Sequence, residues 1–353
     1  MKKAILAVLA LASVVACNKS EVLEVAPQKA ISFGNPFVEN ATKAIDPSLT
    51  ATSENFNTFK VYGKVTTNAG GSTNIFNGVD VYKTAKAVTD IASTSSWYYS
   101  ASYVQYWLAN ATYDFAAVTN GTVATADNDN GMPATISYSA DGTTDLLYAT
   151  KQVAVTQDNF ESVTGTVNFD FNHLLSKVVF KFTNEYPKVA NIEIMVSDIK
   201  ITNPKSTGTY AVATGKWTTT EATIENGLSF GNAIAADSED ADAEAIYFAY
   251  NESAVSNYEK LLIPGSINGL NITFTANIYL KQADNYTLVD TKDYSLTVKD
   301  ETDKTPLLAG NAYCFNVGIT DELKPITFGV ASVGAWMPVA ADGTTTPVEV
   351  EIN

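Results

Sequence analysis

The chain has 353 residues and a formal net charge of -16 at pH 7, with 46% hydrophobic and 17% charged residues. This balance is typical of a chain that buries a substantial core, and it excludes an intrinsically disordered protein. The acidic charge and the absence of arginine exclude nucleic acid as an expected partner, because phosphate contacts need clustered basic side chains.

The N-terminus has the pattern of an export signal. Lys2 and Lys3 precede the apolar run "AILAVLALASVVA", which is too short to span a bilayer as a mature helix. The run ends in "VVAC", which resembles the lipobox of bacterial lipoproteins, with cleavage between Ala16 and Cys17 and acylation of Cys17. We therefore expect a signal peptide at residues 1–16 and a lipid-anchored mature chain; an ordinary signal peptide is the alternative.

The strands that follow are predicted from alternation of apolar and polar residues with a period of two. The clearest case is "NITFTANIYLK", and "FKVYGKV", "VVFKF", "YSLTVK" and "YCFNVGI" repeat it. In "IEIMVSDIKI" the alternation falls out of phase, which predicts a β-bulge near Ser197–Asp198. Turn-prone segments such as "SADGTTD" and "IPGSING" separate these runs. We expect an all-β fold of two tandem β-sandwiches that meet in "TNEYPKVAN".

An aromatic run, "WYYSASYVQYW", lies in the first of these halves. Tyrosine and tryptophan combine an apolar ring with a polar atom, so they suit either a core or a sugar-stacking platform. The platform interpretation uses Trp97, Tyr99 and Trp107 and gives a surface glycan-binding outer-membrane lipoprotein as an alternative function.

The stretch "FDFNHLLSKVVFKF" contains His173, the only histidine. Asp170 is an odd number of residues away, so in a regular strand the two side chains point to opposite faces. No nucleophile motif accompanies His173, so we expect a structural role and no enzymatic activity.

The inventory of possible ligands and crosslinks is short. Cys17 and Cys314 are the only cysteines, and acylation of Cys17 would leave Cys314 without an intramolecular partner. We therefore expect a fold without disulfides, metals or cofactors.

The last residues, "GTTTPVEVEIN", form a separate pattern. Val348, Val350 and Ile352 alternate with glutamates, which predicts a short strand with one apolar face. The strand either folds back as an edge of its own second domain or completes the sheet of a neighbouring molecule as a donor strand.

Several segments, taken in order, resemble the fimbrillin family of type V pilus subunits from Gram-negative anaerobes. The segment "DFNHLLSKVVFKF" is similar to a family signature in which His173, Ser176 and Lys177 are structural. The other matching segments are the lipobox, "AISFG", "ATKA", "FKVYG", "SSWYYS", "YVQYWLANATYDFAA" and "NAYCFNVGI…LKPITFGVASVGAW".

This resemblance implies two transthyretin-like Greek-key sandwiches, at 44–185 and 186–337, followed by a C-terminal tail at 338–353. It also implies that residues 17–43 are a propeptide containing the first strand, which is clipped after a basic residue. Lys43 followed by Ala44 is the candidate cleavage site, although the family often uses arginine there and this chain has none. Either a lysine-tolerant protease acts, or the subunit keeps its first strand.

The implied partners are of three kinds. They are other fimbrillin subunits, the outer membrane through the lipid anchor, and ligands on host or bacterial surfaces. The implied function is that of a structural pilin that polymerises by strand exchange and supports adhesion and biofilm formation.

Overall fold

The computed structural model describes residues 29–38, 57–93, 96–125, 131–163, 165–235, 238, 243–299, 306–320, 327–335 and 348–350. Almost all the regular structure is β, as the alternating sequence predicts. Within these ranges, the exceptions are one short helix, α1 (Phe160–Val163), and two 3-10 turns at Ala101–Tyr103 and Lys188–Ala190. Within this part of the chain, no helix has the length and apolar character needed to cross a membrane.

The strands of the described residues are numbered in chain order. They are β1 (Ser32–Val38), β2 (Thr58–Thr67), β3 (Ser72–Tyr82), β4 (Ile91–Ala92), β5 (Tyr98–Tyr99), β6 (Ala111–Val118), β7 (Thr122–Thr125), β8 (Pro133–Ser139), β9 (Leu147–Val155), β10 (Thr166–His173), β11 (Ser176–Asn184), β12 (Ile192–Ile201), β13 (Thr207–Ala211), β14 (Lys216–Thr219), β15 (Leu228–Gly231), β16 (Ala233–Ile234), β17 (Ser253–Ser256), β18 (Lys260–Leu262), β19 (Asn271–Gln282), β20 (Asn285–Thr297), β21 (Asn311–Ile319), β22 (Thr327–Ala335) and β23 (Val348–Val350).

The first half of the chain forms one eight-stranded sheet in the order β1-β10-β9-β6-β2-β3-β5-β4. β1 pairs with β10 in parallel, and the other pairs of this sheet are antiparallel. The inward side chains form the first core, which is rich in aromatic rings from β1, β2, β3, β6 and β10.

The second half is a sandwich of two sheets. One has the order β16-β17-β11-β21-β22-β23, with β18 also paired to β11, and the other has the order β15-β12-β19-β20. The second core lies between them and takes its residues mainly from β11, β12, β19 and β21. β11 belongs to this sandwich, since it pairs with β17, β18 and β21.

A fourth sheet, in the order β14-β13-β8-β7, contains strands from both halves. β8 pairs with β13 from Thr135↔Ala211 to Ser139↔Thr207. A third core under this sheet joins first-half residues such as Ile136 and Leu146 to second-half residues such as Ile263. The two halves therefore share a sheet and a core, which the expectation of two separate sandwiches did not include.

The predicted bulge in β12 is confirmed. The register of β12 against β19 shifts between Ser197 and Lys200, and Asp198 takes a left-handed conformation with φ of 53°. Because the bulge restores the inward phase, the four aliphatic side chains on both sides of it are fully buried: Ile194, Val196, Ile199 and Ile201.

A tyrosine corner occurs at the same place in each half. Tyr113 accepts a hydrogen bond from the Leu108 N–H at 2.6 Å, and Tyr313 accepts one from the Leu308 N–H at 2.8 Å. The surrounding segments "LANATYDF" and "LAGNAYCF" align without a gap. This repeat, about 200 residues apart in the chain, indicates that β6 and β21 are equivalent strands of related halves.

Candidate functional site

The first strand, β1, closes the first core. On one side it pairs with β10, and before it the Ile31 N–H donates to the Gln105 carbonyl at 2.8 Å while the Trp107 N–H donates to the Lys29 carbonyl at 3.0 Å. The chain from 29 to 38 thus lies in a groove between β10 and residues 105–107.

The side chains of this segment are a central part of the first core. Ile31, Phe33 and Val38 are almost completely buried, whereas Phe37 is 60% exposed. The ring of Phe33 packs against four others, with centroid distances from 5.0 to 6.1 Å, to Phe76, Tyr99, Phe115 and Phe169. Removal of β1 would therefore leave an apolar, aromatic-lined groove with an unpaired β10 edge.

The aromatic run does not form a surface platform. Trp97, Tyr99 and Trp107 are at most 4% exposed, so the glycan-binding alternative based on them is wrong. Tyr99 Oη instead donates to the Ile31 carbonyl at 2.6 Å, and burial raises the pKa of Tyr99. Trp107 Nε1 donates to the Gly165 carbonyl at 3.3 Å. These side chains were ambiguous in sequence. Tyr99 and Trp107 border the groove around β1, and Trp97 packs on Phe59 of β2 in the same core, with 5.3 Å between ring centroids.

His173 lies at the end of β10 and is 5% exposed. Its Nδ1 atom is 2.6 Å from Asp145 Oδ2, an equally buried carboxylate that precedes β9. The sequence suggests Asp170 as a neighbour but gives no sign of Asp145, because no local spacing connects residues 28 positions apart. A substrate cannot reach so enclosed a pair, which agrees with the structural role expected for His173.

The other two signature residues also make internal contacts at the junction of the two halves. Ser176 donates to the Leu308 carbonyl at 2.9 Å, and Lys177 Nζ lies 3.1 Å from Glu259 Oε2 with both side chains buried. Cys314, the buried thiol of β21, has a pKa raised to about 12, chiefly by burial, so it is a poor nucleophile.

The C-terminal strand β23 pairs antiparallel with β22, with Phe328 opposite Val350 and Val330 opposite Val348. It is the last strand of its sheet, so its outer edge has no strand beside it among the described residues. Of the remaining predicted site residues, Ala16, Cys17, Lys43, Ala44 and Ile352 lie outside the described part of the chain.

Comparison with known proteins connects this architecture to one family. Residues 42–336 match the family model described as Fimbrillin-like. No curated protein matches the chain.

Three solved structures of similar proteins cover most of this chain. A fimbrial protein from Bacteroides vulgatus superposes with a TM-score of 0.57 at 17% identity, over 88% of this chain and 99% of that one. A candidate cell adhesion protein from Bacteroides uniformis covers 88% of this chain and 99% of its own at 17% identity, with a TM-score of 0.42. A fimbrial assembly protein from Parabacteroides distasonis covers 91% and 98% at 11% identity, with a TM-score of 0.37. At these identities the first of the three supports a shared fold.

Proposed function

This chain belongs to the fimbrillin-like family, and we propose that it is a structural subunit of a cell-surface pilus that polymerises by strand exchange. The observation that carries the proposal is the position of β1. This strand precedes Lys43 in the chain and fills a groove in the first core. Cleavage after Lys43 would break the covalent connection between β1 and the rest of the subunit. Once β1 has left the groove, a strand from a neighbour would complete the core.

The energetics of the groove support such an exchange. Full burial of Ile31, Phe33 and Val38 contributes on the order of 5–8 kcal/mol gross, and the backbone pairing with β10 adds to it. An empty groove would expose this apolar surface and an open strand edge, both of which favour association. A replacement strand would therefore recover most of the favourable free energy of burial and pairing that is lost with β1. The entropy cost of association reduces this gain.

The C-terminal strand is our candidate donor. Val348, Val350 and Ile352 alternate with a period of two, which is also the spacing between Phe33 on β1 and Ile31 immediately before that strand. In exchange β23 would leave β22 and enter the neighbour's groove with its apolar face inward. The smaller donor side chains would fill the aromatic groove less completely than Phe33 does.

A double substitution tests the donor. We expect Val350→Asp with Ile352→Asp to leave a folded, exported monomer and to remove the high-molecular-weight ladders on unheated denaturing gels, because two carboxylates cannot enter an apolar groove. Glu349→Gln with Glu351→Gln, on the other face of the strand, is the matched control and should keep the ladders. Persistent ladders in the aspartate variant would show that the tail is not the donor.

We further propose that the precursor reaches the outer membrane as a lipoprotein acylated at Cys17. The support is the "VVAC" motif after an apolar segment. Cys17→Ser should abolish labelling by a fatty-acid probe and shift the protein from the membrane fraction to the soluble fraction. Labelling that persists in the variant would refute this part of the proposal.

The role we assign is structural, and we propose no catalytic site. The one histidine is enclosed with Asp145, and the one described thiol is buried in β21. The proposed partners are further subunits of the pilus and, through the assembled surface, ligands on host or bacterial cells.

A further inference from the structure

A cleft of about 510 Å³ opens at one end of the second sandwich, away from the groove of β1. It lies where β12 begins, beside the turn before β17 and the β19–β20 hairpin. Its polar and aromatic lining residues are Lys188, Asn191, Glu193, Tyr250, Glu252 and Lys281. Its volume is in the range of small-molecule sites in proteins.

The floor of the cleft is held in place by an ion pair. Lys281 Nζ donates to Glu193 Oε1 at 2.6 Å, and the side chain of Glu193 is only 9% exposed. Hydrogen bonding to Glu193, and then to Tyr286, raises the pKa of Lys281, so the ammonium group persists over the physiological pH range. Glu252 accepts a hydrogen bond from the Ala249 N–H at 2.9 Å, which fixes the opposite wall. Polar groups on both sides of the cleft are thus preorganised.

A cluster of tyrosines continues from the cleft through Lys281, whose Nζ lies 5.3 Å from the ring centroid of Tyr286. Tyr247 stacks on Tyr286 at 4.1 Å between centroids and 18° between planes, and it meets Tyr279 edge-on at 4.9 Å. More than a third of Tyr247, Tyr286 and Tyr250 remains exposed. Tyr247 and Tyr286 stack on each other and still remain partly exposed, so packing in the core does not account for their position.

The charge of the cleft restricts the ligand. The two lysines and the two glutamates of the lining cancel, and the whole chain carries a net charge of -16. An anionic ligand would therefore gain little from the cleft and would be repelled by the molecule as a whole. A neutral ligand with many hydroxyl groups fits best, since carboxylates accept, ammonium groups donate, the Asn191 amide does both, and tyrosine rings stack on the C–H faces of a sugar ring.

From this combination we propose that the cleft of Tyr250, Glu193 and Lys281, with the adjoining tyrosines, binds neutral saccharides. Glu193, Lys281 and Asn191 hydrogen-bond the hydroxyl groups. Tyr250 and Tyr286 supply the aromatic surface. The residues of this site belong neither to the groove of β1 nor to β23, so saccharide binding does not require polymerisation.

The test uses the purified full-length chain on a panel of immobilised neutral, sialylated and sulfated oligosaccharides, followed by titration calorimetry with the neutral oligosaccharide retained most strongly. We expect saturable binding of a neutral saccharide, weakened about tenfold by Tyr250→Ala and by Tyr286→Ala. Tyr103→Ala is the matched control, because Tyr103 is a 54%-exposed tyrosine in the other half of the chain, and it should bind as the parent does. Unfolding curves establish that all three variants are folded.

Four results would overturn the proposal. They are no retention of neutral saccharides, preferential retention of the acidic ones, retention that neither cleft variant weakens, and equal weakening by Tyr103→Ala. Self-association of the parent chain that Tyr286→Ala abolishes, without sugar binding, would assign the tyrosine surface to a protein contact instead. Because the measurement uses unpolymerised chains, its failure would leave the pilus proposal standing, and persistence of the gel ladders in the donor-strand test would leave this site intact.

Discussion

At the scale of single residues, two buried pairs of ionisable side chains mark the junction between the halves. His173 and Lys177 lie within a few residues of the point where the chain passes from the first main sheet to the second, and Asp145 and Glu259 are their respective partners. Burial of charged groups is favourable only when each is closely partnered. We therefore expect such pairs to determine the geometry of the junction between the halves, while they contribute little to the net free energy of unfolding.

The Asp145–His173 pair can be tested by a double-mutant cycle. His173→Leu should lower the free energy of unfolding by about 3–5 kcal/mol, because it leaves the Asp145 carboxylate buried without its imidazole. Asp145→Leu combined with His173→Leu should lose less than the single variant, since no isolated charge remains. Urea denaturation of the four proteins measures both quantities. A double variant less stable than either single one would contradict this account of the pair.

The burial of His173 is predictable from the sequence, whereas its pairing with Asp145 is not. The odd spacing from Asp170 and the absence of a nucleophile motif were sufficient to predict a packed histidine. Asp145 could not be found, because its approach depends on the pairing of β10 with β9, a contact between segments about 25 residues apart. The same limit applies to Glu259 beside Lys177.

At the scale of elements, β1 combines a buried face with an exposed one, and this allows a controlled experiment. Phe33→Ala in the uncleaved chain should lower the free energy of unfolding by about 3–5 kcal/mol, because four aromatic rings lose their common contact. Phe37→Ala, on the same strand but 60% exposed, should change it by less than about 0.5 kcal/mol. Similar losses in the two variants would mean that β1 does not belong to the core.

The alternation of apolar and polar residues predicted individual strands well, including the position at which the alternation changes phase. In β12 the phase change placed the bulge within the observed Ser197–Lys200 irregularity. The aromatic run was ambiguous, because tryptophan and tyrosine suit both cores and platforms, and only the fold showed that Trp97, Tyr99 and Trp107 belong to the first core. The repeated tyrosine corner was available in the sequence as "LANATYDF" and "LAGNAYCF", but it becomes visible only when segments 200 residues apart are compared.

At the scale of the whole molecule, the fourth sheet and the third core connect the two halves. Trp217 of β14 donates its Nε1 hydrogen to the Leu174 carbonyl at 2.9 Å. Gly208 of β13 makes room for it, since an added Cβ would lie 3.0 Å from the tryptophan ring. Long-range pairings such as β8 with β13 leave no local signal, which is why the sequence predicted two separate sandwiches.

This shared core predicts cooperative unfolding. The uncleaved chain should unfold in a single calorimetric transition, because neither half buries its junction surface alone. Trp217→Ala should lower the midpoint and separate the unfolding of the two halves. Two resolved transitions in the parent protein would contradict the coupling that we infer from the third core.

The central claim is that the assembled subunit has lost β1 and that a neighbour's strand occupies its groove. Determination of the N-terminal residue of subunits from purified surface fibres tests this most directly. The account predicts a mature chain that begins at Ala44, after cleavage at Lys43, and a Lys43→Ala variant that keeps β1 and does not polymerise. Fibres built from chains that begin at Cys17 would contradict it, because Phe33 would still fill the groove.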